Sequence, residues 1–128
     1  MLALFAAVEN GDGHLKNFAV TYDDPEGVVR LAPIYDVVCT TLYNPRDVLA
    51  LTLDDSKELP DRRRIVSFGR RACGLAARDC VDILARVGSG VTKTIPRIRA
   101  LATKQRAFER AAKRLVAVFE RGARRLAP

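Results

Sequence analysis

The sequence has no tryptophan, one histidine and one methionine, and aromatic residues make up only 6% of its 128 positions. So few rings leave little to stack unpaired bases on, which argues against a single-strand nucleic-acid binder. Cysteines are three (Cys39, Cys73, Cys80), an odd number with no C-x-x-C pair. That pattern excludes a disulfide scaffold and a cysteine-based zinc module, and it fits a reducing cytoplasm. All three are expected to be small buried hydrophobes. The longest unbroken apolar run, residues 2–8, falls far short of the about 20 residues a membrane span needs. A basic leader with a small-residue cleavage site is also missing, which argues against a secretory signal. Internal repeats and low-complexity stretches are absent. What is there suffices for one small domain: 48% of residues are apolar, and a chain of this size hides roughly two-thirds of its surface on folding.

Charge is abundant and unevenly placed. The whole chain carries +7. Residues 1–59 hold four basic residues against ten acidic ones, a net of −6, whereas residues 60–128 hold eighteen against five, a net of +13. The two halves therefore suit different tasks. The acidic half can hold a divalent cation. The basic half can meet an anion, a nucleic acid or the acidic half itself.

The apolar periodicity predicts an α+β chain, mostly helical. Residues 2–8 read as the end of a buried helix. Residues 9–16 form a polar loop with an Asn10-Gly11 turn signal. Residues 17–22 and 28–31 read as two strands, joined by the turn-rich Asp23-Asp24-Pro25-Glu26-Gly27 as a hairpin. Residues 37–42 suggest a short helix, and residues 48–53 a short strand. Helices follow from Pro60, which suits a first helical turn. The first carries Ile65, Phe68 and Ala72 on its apolar face, with Gly74 as C-terminal cap. The second carries Ala76, Cys80, Ile83, Leu84, Val87 and Val91, and Gly88-Ser89-Gly90 and Pro96 are expected to break or kink it. The last, from about residue 104 to 125, aligns Phe108, Ala111, Leu115, Val118, Phe119, Gly122 and Leu126.

The chemistry is concentrated in the first forty residues. Asp12 and Asn17 lie five positions apart in one loop, and a hairpin must bring the chain back before Asp36. The three side chains can therefore converge. Two carboxylates and an amide oxygen are a hard, oxygen-only set of the kind Mg²⁺ accepts, with water and phosphate completing its shell. Phosphoryl transfer uses such a set, with one Asp taking the hydroxyl proton and an Asn and a second Asp holding the metal. On spacing alone the signal is weak, and ordinary loop and turn roles account for these residues better. His14 alone can as well fix the loop backbone, Lys16 can be a solvated charge, and Tyr35 can be a core residue with its hydroxyl satisfied.

The segment Asn10-Gly11-Asp12-Gly13-His14-Leu15-Lys16-Asn17-Phe18 resembles the catalytic loop of HipA-like serine/threonine kinases, the toxin halves of bacterial toxin–antitoxin pairs. Leu31-Ala32-Pro33-Ile34-Tyr35-Asp36 resembles that family's metal-binding segment. The resemblance implies a protein-kinase-like C-terminal lobe spanning residues 1–128, with a small hairpin carrying the active-site loop and helices after residue 60. It implies Asp12 as the catalytic base, Asn17 and Asp36 as Mg²⁺ ligands, and His14, Lys16 and Tyr35 beside the ATP phosphates. Asn10-Gly11-Asp12 stands where other protein kinases have H-R-D, and Asp36-Val37-Val38 where they have D-F-G, so no Phe-flip switch is expected.

A kinase also needs a glycine-rich loop, a strand lysine and its helix glutamate partner, and these residues contain none of them. The reading is therefore a C-terminal fragment whose N-terminal lobe is missing, with little or no turnover alone. Its implied partners are that lobe, an unidentified substrate protein and an antitoxin-type DNA-binding protein, with a homodimer through exposed apolar surface. DNA is met only weakly or through the partner, and no membrane is involved. The alternative is a non-catalytic basic helical module that binds DNA or an antitoxin-type protein. Arg62-Arg63-Arg64 and Arg70-Arg71 are its candidate patch, or else a solvated helix face.

Overall fold

The computed structural model describes all residues, Met1–Pro128. Four α-helices carry the fold: α1 (Leu2–Val8), α2 (Arg62–Ala72), α3 (Ala77–Lys104) and α4 (Glu109–Leu126). Between α1 and α2 lie two short strands, β1 (Val20–Thr21) and β2 (Arg30–Leu31), paired antiparallel with Val20 opposite Leu31 and Thr21 opposite Arg30. Single 3₁₀ turns form at Leu15–Asn17, Thr40–Leu42 and Arg106–Phe108. No helix is long and apolar enough to cross a membrane.

The expected α+β, mostly helical class holds, but the strands are much shorter than expected. Val20, Tyr22, Val28, Val29 and Leu31 are all exposed. With no layer to pack against, the hairpin keeps only its central pairing, as two-stranded ribbons are marginal by themselves. Its turn closes through Gly27 N–H donating to the Asp24 carbonyl at 2.8 Å. Residues 48–53 are not a strand. Their only ladder contact is an isolated bridge between Leu53 and Ser56, and the segment instead follows the site loop, with Ala50 N–H donating to the Gly11 carbonyl at 2.7 Å. The short helix expected at 37–42 shrinks to the Thr40–Leu42 turn.

Asp61, not Pro60, opens α2. Its carboxylate accepts from Arg64 N–H at 2.9 Å, an N-cap bond that satisfies an otherwise orphaned donor. Gly74 sits just past the end with φ 65°, the left-handed conformation glycine adopts without penalty. The buried face of α2 is Ile65 and Gly69, while Ala72 is exposed.

Helix α3 corrects the expected break, running 28 residues through Gly88, Gly90 and Pro96. Its stripe of Cys80, Leu84, Val91, Ile95 and Ile98 stays buried along that length. Local propensity is a weak prior when a continuous apolar face can be covered. The buried face of α4 is Ala112, Val116, Val118, Gly122 and Leu126, so the expected stripe is off by one at Ala111, which is exposed.

The main core joins Ala3, Ala6, Ala7 and Val8 of α1 to Ile65, Leu84, Val91 and Leu126. A second, smaller core of Ile95, Ile98, Ala112 and Val116 closes the far end of the α3–α4 hairpin. Helix α1 crosses α4 so closely that a methyl group at Gly122 would collide with the Ala7 carbonyl. Of the cysteines only Cys80 is buried; Cys39 is half-buried and Cys73 exposed.

Candidate functional site

The site loop begins where α1 ends, and a buried charge fixes that end. Glu9 adopts φ 53° as C-cap of α1 and is 4% exposed. Its carboxylate accepts from Arg121 Nε at 3.1 Å and Arg121 Nη2 at 2.9 Å, and from the Thr41 hydroxyl at 2.7 Å. Arg125 adds an ion pair at 3.6 Å and donates to the Ala6 carbonyl at 2.8 Å. Burial pushes the Glu9 carboxyl up, but its hydrogen bonds from Arg121 and Thr41, with the charges of Arg121 and Arg125, hold it below the ordinary range. Burial raises the nearby Cys39 thiol, which argues against a nucleophilic role for it.

Asn10 follows, fully buried, and its Oδ1 accepts from Asp12 N–H at 3.0 Å. Gly11 N–H donates to the Thr40 hydroxyl at 2.9 Å, and that hydroxyl donates to the Glu9 carbonyl at 3.2 Å. A side chain at Gly11 would strike Asp47 and the Val48 carbonyl, so only glycine lets the loop lie against residues 47–50. These anchors leave Asp12 exposed on the rim of an open groove of about 460 Å³ that it shares with Thr40, Asp47 and Lys57.

Asn17 is 2% exposed and ties the loop to the segment after the hairpin. Its Oδ1 accepts from His14 N–H at 2.8 Å, and its Nδ2 donates to Asp36 Oδ2 at 2.9 Å. Asp36 reaches that position with φ 53° and is itself exposed. Tyr35 donates its hydroxyl to the Lys16 carbonyl, so the two neighbouring segments are joined twice. The structure thus brings Asn17 and Asp36 together. It puts Lys16 at the surface, and gives the Tyr35 hydroxyl a backbone partner. His14 Nδ1 is buried with no partner. Asp12 belongs to the same loop, but its groove is lined by neither Asn17 nor Asp36.

Nowhere do three or more His, Cys, Asp or Glu side chains gather closely enough for an all-protein metal cage. Asn17 and Asp36 offer the donor types Mg²⁺ accepts beside water and phosphate, an amide oxygen and a carboxylate, with the amide turning its Nδ2 toward Asp36 and its Oδ1 toward His14 N–H. Asn17 Oδ1 keeps a second lone pair beyond its bond from His14.

The family model of the HipA-like C-terminal domain matches residues 1–95. The chain belongs to that family. No curated protein and no solved structure matches. The HipA-like match takes in α1, the site loop, the hairpin, α2 and most of α3. Helix α4 lies beyond it, yet supplies both arginines that clamp Glu9 and the glycine that admits α1. Sequence reasoning missed this clamp and the Thr40 anchor. The available signal was Arg121 and Arg125, four apart and flanking the small residue Gly122.

Proposed function

We propose that the chain is the catalytic-loop lobe of a HipA-like protein serine/threonine kinase, which transfers the γ-phosphoryl group of ATP to a protein hydroxyl. One observation carries the reading: Asn17 and Asp36, 19 positions apart, meet at 2.9 Å beside the loop that presents Asp12. In this reading Asp12 accepts the proton of the attacking Ser or Thr hydroxyl. Asn17 and Asp36 hold Mg²⁺, which when bound neutralises charge on the phosphates. His14 and Lys16 flank the phosphates, and Tyr35 holds the Lys16 backbone in place.

Phosphoryl transfer depends mostly on positioning and charge neutralisation. Residues 1–128 supply the base and the metal side of that clamp but no glycine-rich strand loop and no strand lysine. The chain by itself binds Mg²⁺–ATP weakly and does not turn over. Adding an N-terminal lobe of a HipA-like kinase restores label transfer from ATP in the wild type and not in Asp12→Asn. Equal transfer in both would refute the base assignment. A second reading, a non-catalytic basic module that contacts DNA or a partner protein, draws on the exposed arginines of α2. It predicts that Asp12→Asn changes nothing.

A further inference from the structure

The charge asymmetry of the chain has a structural counterpart away from the catalytic loop. Helices α2 and α3 border an open groove of about 820 Å³ lined by Arg62, Arg63, Arg70 and Arg71, with Val66, Ser67, Leu75 and Val81 between them. No acidic residue lines it. Arg71 is paired with Asp54 at 2.6 Å, and Arg62 is held by the Leu126 carbonyl at 2.8 Å. Arg63 and Arg70 are exposed and make no ion pair. The groove therefore presents uncompensated guanidinium groups around an apolar floor, where Val81 is 40% exposed.

The same chain carries a segment of opposite character. The hairpin turn, residues 23–26, holds Asp23, Asp24 and Glu26, all exposed and none in an ion pair. Exposed apolar side chains flank it on both sides: Tyr22, Val28 and Val29. The groove thus needs anionic groups next to apolar ones, and the turn offers both within eight residues. A nucleic-acid backbone would satisfy the arginines but leave the Val66, Leu75 and Val81 floor unused, and the groove has no aromatic ring to stack a base.

We propose that the arginine groove of α2 and α3 receives the acidic hairpin turn of a second copy of this chain. The contact is between two different surfaces, so reciprocal exchange closes a two-fold dimer and one-way exchange builds open chains. It is independent of the phosphoryl-transfer reading, because none of the proposed catalytic or metal-holding residues takes part.

The test is sedimentation of the full chain over a wide concentration range at low and high salt. The expected result is self-association that weakens as salt screens the exposed charges. Arg63→Glu with Arg70→Glu should weaken it by about tenfold or more, since like charges repel across the contact. Asp23→Arg with Asp24→Arg and Glu26→Arg should do the same. Mixing the two charge-reversed proteins should restore association, because each then offers the surface the other needs. All five positions are exposed, and circular dichroism checks that each variant keeps its helices; Arg63→Ala with Arg70→Ala serves if a reversal does not. A wild-type mass that stays monomeric at every concentration overturns the proposal. So does association that neither variant weakens, or a mixture that remains monomeric. Salt-dependent binding of a short DNA duplex that needs Arg63 and Arg70, without self-association, assigns the groove to nucleic acid instead.

Discussion

Asn17 donates its side-chain amide to the Asp36 carboxylate at 2.9 Å, while its own oxygen holds the His14 backbone at 2.8 Å. One nearly buried amide thus joins the loop and the segment after the hairpin, and the two candidate metal ligands are fixed by each other. Asn17→Ala removes both bonds and leaves the His14 N–H without its acceptor. We expect a loss of about 1–3 kcal/mol, the usual cost of an orphaned buried group, read as a lower urea midpoint. Asp36→Asn keeps an acceptor for Asn17 Nδ2 and a residue type that tolerates φ 53°, so it should hold the midpoint within about 0.5 kcal/mol. A large loss in Asp36→Asn and none in Asn17→Ala would reverse the assignment.

The Glu9 clamp predicts a pH dependence. Folding lowers the Glu9 pKa below its ordinary 4.5. Its stabilising contribution is therefore fully present above pH 4.5 and is lost as pH falls through the lower folded value. Glu9→Gln keeps the shape but removes the charge that pairs with Arg121. It should cost about 2 kcal/mol at pH 7, a typical value for hydrogen bonds to a charged group, and make stability less dependent on pH between neutrality and pH 3. Urea unfolding at three pH values compares the slopes. Equal slopes in the two proteins would show that Glu9 does not carry the acid sensitivity.

Three of the four helical glycines, Gly88, Gly90 and Gly122, separate packing from propensity. A methyl at Gly122 meets the Ala7 carbonyl, whereas at Gly88 and Gly90 it meets nothing within 4 Å. Gly122→Ala should destabilise by about 1–3 kcal/mol through overpacking. Gly88→Ala and Gly90→Ala should each stabilise by about 0.5–1 kcal/mol, because alanine fits a helix interior better. Thermal unfolding of the three variants gives the signs directly.

The sequence conveyed the parts of this fold that repeat or that carry local turn chemistry. The α1 segment was legible because its apolar run had to be buried. The hairpin was legible because five turn-forming residues interrupt two apolar stretches, and the return of Asp36 to the site loop followed from it. Gly74 was legible because the end of α2 needs a left-handed residue. Features set by distant contacts were not. Nothing local distinguishes Glu9 from the other loop acids until α4 brings Arg121 beside it. Residues 48–53 have strand-like composition but no neighbouring strand to pair with, so they follow the loop instead. Pro96 and the paired glycines predicted an interrupted α3, and tertiary burial of Val91, Ile95 and Ile98 overrode them. Topology anticipated the meeting of Asn17 and Asp36, but not that Asp12, expected to converge with them, opens on a groove that neither of them lines; the backbone role of the Tyr35 hydroxyl was not anticipated either.

In the proposed function Asn17 and Asp36 form one cation-holding pair, and Mn²⁺ as a paramagnetic substitute for Mg²⁺ tests that pair most directly by amide NMR of the full chain. Line broadening should centre on the amides around Asn17 and Asp36, fade when Mg²⁺ is added in excess, and vanish in Asp36→Ala. Broadening that centres elsewhere, or that persists unchanged in Asp36→Ala, would contradict it.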